Sequence, residues 1–135
     1  MADTYVLDAF ALLAYLFAEE GGGRVQEILR SADGGEATVL LGLINYGEAI
    51  YTVERRRGEA GAQELIRQVE DLPLRQVQVT RDLVFAAAHI KASYVMSYAD
   101  AFAVALAQGE EAALVTGDPE LRAVEHEVRL EWLSR

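Results

Sequence analysis

Asp8, Glu48, Asp100 and Asp118 are the residues of this chain whose types and surroundings best suit chemistry. Asp8 follows the apolar run YVL and precedes the greasy stretch AFALLAYLFA. Alone it reads either as a helix N-cap accepting a first-turn backbone N–H or as a ligand at the end of a buried strand. The two roles are compatible, because a carboxylate has two oxygens. Glu48, inside LINYGEAIY, cannot be a cap. Helical spacing sets it beside Ile44 and Tyr51, where an ionised glutamate needs a solvent-facing rotation, a partner such as Arg55, or a bound cation. Asp100 opens the most apolar helical stretch, SYADAFAVALA. Ser97 three residues earlier gives a capping-box-like spacing, and Ala99, Ala101 and Ala103 allow a close approach to a sheet. Asp118 stands between ALVTG and Pro119, the pattern of an N-cap followed by proline at the first helical position.

The elements around these acids give them a common topology. TYVL, residues 4–7, reads as a short buried strand ending at Asp8, and residues 9–18 as a helix with Leu12, Leu13, Leu16 and Phe17 concentrated on one side. Gly21, Gly22 and Gly23 break it. An amphipathic helix resumes over 24–32, DGGE is a turn, and ATVLL, residues 37–41, is a second buried strand. A helix over about 43–57 stops near Gly58, and another covers 59–70 before Pro73. RQVQV supplies a third strand, and Thr80 caps a helix carrying Val84, Ala87, Ala88 and Ile90. The helix SYADAFAVALAQG ends at Gly109; EAALVTGDPEL then gives strand, turn and helix start, and VRLEWL a final strand. Strands separated by helices in this way predict an α/β sandwich with a mostly parallel sheet, and such sheets place sites beyond the carboxyl ends of their strands. Asp8 and Asp118 end strands there, while Glu48 and Asp100 lie on helices meeting the same edge. Clustered anions repel, so a divalent cation is their natural stabiliser, and Mg²⁺ or Mn²⁺ suits an oxygen-only donor set.

Composition narrows the classes further. The chain has 135 residues, 52% of them hydrophobic, enough for one domain spanning 1–135 with a sizeable core. It has no cysteine, which removes disulfides and thiolate chemistry, and its two histidines, His89 and His126, cannot build the usual histidine-rich zinc site. No basic stretch leads into an apolar run at the N-terminus, so no secretory signal is expected. The longest apolar run is about half of what a membrane span needs. A net charge of -10 argues against broad phosphate binding. Arg55, Arg56 and Arg57 form the only dense basic run, which also suits a helix C-terminus. A phospho-receiver arrangement would need a lysine after a late strand, and the only lysine, Lys91, precedes Asp100 inside a helix.

VLDAFALLAYLF, INYGEAIYTVERR, YADAFAVALA and LVTGDPEL together resemble the PIN-domain nucleases, in particular the VapC-type toxins of toxin–antitoxin pairs. The order and spacing of these pieces, more than any one of them, carry the similarity over essentially the whole chain. The resemblance implies a PIN-like three-layer sandwich. It assigns Asp8, Glu48, Asp100 and Asp118 to the family's acidic positions. Thr116 matches a hydroxyl residue two places before the last acid, where it would orient that acid or a water. Asn45 resembles a polar position one turn before the acidic helix residue. Ala9 departs from the pattern, since relatives often carry serine or threonine there.

The implied chemistry is endonucleolytic hydrolysis of RNA. Mg²⁺ or Mn²⁺ would sit on Asp8, Asp100 and Asp118, and Glu48 would position a water, hold a second ion or assist proton transfer. The resemblance further implies 5′-phosphate and 3′-hydroxyl products, a cognate antitoxin, a homodimer and a cytoplasmic setting without a membrane. An RNA-processing nuclease outside a toxin pair, or a silent interaction module whose acids serve only as caps, are the alternative expectations.

Overall fold

The structure, a computed structural model, describes residues 3–133. Strands β1 (Asp3–Leu7), β2 (Ala37–Gly42), β3 (Arg75–Val77), β4 (Ala113–Thr116) and β5 (Leu130–Trp132) form one sheet in the order β3-β2-β1-β4-β5. Every described pair is parallel, with Leu7 level with Leu41 on one side and Val115 on the other.

Side chains alternate across a strand, and here the alternation divides the core in two. Val6, Leu40 and Leu114 pack with helices α4 (Arg81–Ser93) and α5 (Tyr98–Gly109) and with the short 3-10 helix Pro119–Val124. Leu7, Val39, Leu41 and Val115 pack with α1 (Ala9–Leu16), α2 (Gly22–Asp33) and α3 (Leu43–Glu70). The result is a three-layer α/β sandwich. Because both sheet faces are covered, the central strands read as continuous apolar runs rather than alternating ones.

Several element boundaries differ from the sequence expectation for local reasons. The first helix stops at Leu16, because Phe17 is already its C-cap and Ala18 takes a left-handed conformation. The two helices expected over 43–57 and 59–70 are one element kinked at Gly58, whose φ of 72° and ψ of -178° suit glycine almost alone. β3 is shorter than RQVQV: its last partner is Gly42, beyond which β2 has become α3 and leaves Gln78 and Val79 nothing to pair with. After Asp118 the chain winds as a 3-10 helix, not an α-helix. The final strand is confined to Leu130–Trp132. The apolar helix α1 is largely absorbed by the core, whereas α4 buries only Ala87 and Ile90 and leaves Phe85 exposed. Among the described residues no helix is long and apolar enough to cross a membrane.

Candidate metal centre

The chain leaves central β1 toward β2 and later returns to β4 on the other side, so a topological switch point lies between β1 and β4. Asp8 stands on one side of it. Its backbone N–H donates to Val115 O (3.4 Å), and its Oδ1 accepts the Ala11 N–H at 2.8 Å, capping α1. Asp118 stands on the other side, its Oδ1 accepting the Glu120 N–H at 3.0 Å. Both acids are therefore the caps their sequence contexts predict, and each keeps a second oxygen for other work. At Gly117 a Cβ would meet the Phe10 ring on α1, so any larger residue there would have to displace that ring.

Helices bring the other two acids to the same edge. Ser97 caps α5 by accepting the Asp100 N–H at 3.0 Å, and its side chain also bonds the Asp100 carboxylate. The buried Asn45 on α3 donates from Nδ2 to Ala99 O at 3.1 Å, fastening α3 to the first turn of α5. Glu48 follows almost one turn later on α3. Asn45 thus acts as a positioning residue, with its amide nitrogen already engaged. Thr116 likewise has a more definite role than its sequence position foretold. Its Oγ1 accepts the Asp118 N–H at 3.1 Å, and its hydroxyl bonds the carboxylate of Asp8, so it orients the first acid as well as anchoring the last.

The site runs from a buried floor to an exposed rim. Asp8 and Asp100 are 2% and 6% exposed, Glu48 and Asp118 are half-buried, and Glu120 is exposed. Burial drives the Asp8 carboxyl up to about 7; hydrogen bonds from Thr116 and Ala11 oppose this, and the charges of Asp100 and Asp118 add to it. Asp100 is raised to about 6, first by burial and then by Asp118 and Glu48. Glu48 is raised by burial and by Asp118. The four sequence-predicted acids therefore sense one another across a single site. Helix N-termini at α1, α5 and the 3-10 helix point toward it and partly compensate the negative charge.

Glu120 joins the site although its sequence context does not single it out. One carboxylate oxygen each from Asp100, Asp118 and Glu120 can be chosen so that all three lie within 4.8 Å of one another. Asp8 and Glu48 stand outside this tight trio and reach it through electrostatic coupling. The signal was the Asp-Pro-Glu spacing, masked because an acid in a first helical turn ordinarily complements the helix dipole. Among the described residues no arginine or lysine pairs with any of these five acids. An oxygen-only set without a protein counter-charge fits a hard divalent cation such as Mg²⁺ or Mn²⁺ and suits neither a soft metal nor a histidine-dependent one.

The family model for the PIN domain matches residues 5–127. This chain belongs to the PIN domain family. No curated protein matches it by sequence. Among solved structures, this PIN domain is similar to VapBC2 from Rickettsia felis bound to a promoter DNA fragment, at 16% identity and TM-score 0.74 over 97% of this chain and 99% of that one. It is similar to DNA-bound VapBC from Salmonella typhimurium, at 18% identity and TM-score 0.70 over 97% and 98% of the two chains. It is also similar to Mycobacterium tuberculosis VapC20, described as a sarcin-ricin loop cleaving toxin, at 19% identity and TM-score 0.69 over 89% and 94%. At these identities the likeness is one of fold. In this PIN domain, the turn after β1 and helix α3 bring Asp8 and Glu48 within electrostatic reach of Asp118, beside Asp100 on α5.

Proposed function

We propose that this PIN domain is a Mg²⁺- or Mn²⁺-dependent endoribonuclease and the toxin of a toxin–antitoxin pair, with residues 1–135 forming one nuclease domain. The observation that carries the reading is the pair of deeply buried carboxylates, Asp8 and Asp100, at a parallel-sheet switch point, with no cation of the described residues paired to them. Asp8, Asp100 and Asp118 are the residues proposed to hold the ion, with Glu120 at the rim. When bound, the ion supplies Lewis acidity and neutralises charge on a phosphodiester. Glu48, with its raised pKa, is suited to accept a proton from the attacking water. Thr116 keeps Asp8 oriented, and Asn45 keeps Asp100 and Glu48 at fixed separation. In the proposed reaction the water oxygen bonds to phosphorus as the P–O3′ bond breaks, leaving a 5′-phosphate and a 3′-hydroxyl.

The toxin assignment is supported by the fold shared with VapBC complexes. An antitoxin arginine presented to Asp8 and Asp100 would complement their charge with several fixed donors. A homodimer is proposed from the apolar side chains left at the surface, including Phe85 and Val95. Light scattering at micromolar concentration should give twice the chain mass. A cytoplasmic setting follows from the proposed substrate.

The direct test is a structured RNA incubated with purified protein in Mg²⁺, Mn²⁺ or EDTA, with Asp100→Asn as control, alongside a crystal soaked in Mn²⁺. Cleavage only with metal and only by the native chain, with Mn²⁺ density between Asp8, Asp100 and Asp118, is the expected result. Cleavage in EDTA, or Mn²⁺ bound elsewhere, would refute the assignment.

A further inference from the structure

The first half of α3 carries a second exposed feature beside the acids. At about 100° per residue, Glu48, Tyr51 and Arg55 fall on one stripe about 60° wide. The buried face of that segment is made by Asn45, Tyr46, Ala49 and Val53. Glu48 forms the end of the stripe nearest the acids, where it senses Asp118 and Asp100. Tyr51 is 50% exposed, and the Arg55 guanidinium lies over its ring, 4.9 Å from the centroid. Arg55 makes no ion pair among the described residues, so its donors remain available. Its neighbour Arg57 is turned away, lying over Phe17 at 4.4 Å. Arg56 lines the same recess as Arg57 and Phe17, so the basic run is not one patch, and of its three members Arg55 is the one directed along the stripe that begins at the acids.

We propose that Tyr51 and Arg55 form a single-stranded RNA platform, Tyr51 stacking on a base next to the scissile phosphate and Arg55 holding a backbone phosphate. The inference rests on the nuclease reading above and adds to it the surface that receives the substrate. A chain with net charge -10 cannot attract RNA through its overall field, so phosphate contact must come from a local cation. Arg55 lies about 10 Å along the helix from Glu48, close enough to serve the same strand that enters the acids. An exposed aromatic ring beside a guanidinium is the arrangement that binds single strands without reading sequence.

The test uses the full-length protein and a fluorescein-labelled single-stranded RNA dodecamer of mixed sequence. Binding is read by anisotropy in EDTA at low salt, cleavage by kcat and KM in Mn²⁺, and mass by light scattering. Tyr51→Ala should weaken binding about fivefold to a hundredfold, while Tyr51→Phe should bind like the native chain. Arg55→Gln should weaken binding and lower the salt slope by about one. Both weakened variants should raise KM more than they lower kcat, as expected for loss of uniform binding. If the native chain cleaves RNA while Tyr51→Ala and Arg55→Gln bind and cleave as it does, the platform is refuted and the nuclease reading stands. A change of mass in either variant would instead make the stripe a protein interface and overturn the proposal. If the native chain neither binds nor cleaves RNA, the nuclease reading fails and the platform with it.

Discussion

The hydroxyl of Thr116, at the end of β4, bonds the carboxylate of Asp8, at the end of neighbouring β1, while accepting the backbone N–H of Asp118 at 3.1 Å. One fully buried side chain thus joins the two strand-end acids and sets the orientation of each. Replacing it by an isostere without the hydroxyl, Thr116→Val, leaves Asp8 and the Asp118 N–H each short of a partner. The expected loss of stability is about 1–3 kcal/mol, with cleavage reduced at least about tenfold through misplaced acids. Thr116→Ser keeps the donor and should retain most of both. Thermal unfolding and cleavage assays on the two variants decide the matter: equal behaviour of serine and valine would show that the hydroxyl does not matter.

Asp100→Asn nearly preserves volume and removes one charge from a crowded anionic site. RNA cleavage should fall by orders of magnitude, and the fold should persist with unchanged or slightly raised stability in EDTA, because burial and neighbouring carboxylates already disfavour the anion. Circular dichroism checks the fold. Undiminished cleavage by the folded variant would remove Asp100 from the proposed ligands.

The metal-free protein should lose stability as pH rises. The Asp8 carboxyl titrates at about 7 when folded, against an ordinary value of 3.8, so between these values the folded state holds a proton that the unfolded chain has released. Its contribution is fully present below the lower value and is lost as pH rises through the upper one. Asp100, raised to about 6, adds the same sign. Thermal midpoints in EDTA should therefore fall from pH 5 to pH 8, and Mg²⁺ should reverse the fall at pH 8 by binding the ionised carboxylates. Asp8→Asn should flatten the profile. A variant with the native slope would show that Asp8 is ionised throughout this range.

Gly58→Ala isolates a backbone effect. Among the described residues nothing beyond the adjoining helix backbone lies within 4 Å of where the new methyl would sit, so the cost is that of a φ of 72° with an extended ψ. Destabilisation of about 1–3 kcal/mol is expected, with cleavage per folded molecule unchanged, since the kink lies nearly three turns beyond Glu48. An unaltered melting temperature would mean that α3 can straighten at no cost.

Much of this arrangement is legible in the sequence because burial and chemistry coincide in the same short runs. The apolar strands YVL and ALVT stop at Asp8 and two residues before Asp118, and a parallel sheet brings such ends to one edge. Asn45 and Thr116 could be marked as polar residues at telling positions, but not given their partners. The Ala99 carbonyl and the Asp8 carboxylate lie on segments distant in sequence. Glu120 was hidden by its resemblance to any acid in a first helical turn. Arg55 and Arg57 looked like one patch because adjacent letters conceal a helix's rotation. Their separate contacts with Tyr51 and Phe17 show two destinations. The short β3 was invisible for another reason: its length is set by where β2 turns into α3, not by its own residues.

The placement of β1 between β2 and β4 also imposes an order in time. Asp8 is synthesised more than a hundred residues before the strand that ends at Thr116 and leads to Asp118. A nascent chain can pair β1 with β2 early and must leave the other edge of β1 open until Ala113–Thr116 arrives. Such a chain has Asp8 without its hydroxyl partner and Asp100 without the neighbours that complete the centre. The acids proposed to act on RNA would in this way come together only after Ala113–Thr116 has joined the sheet.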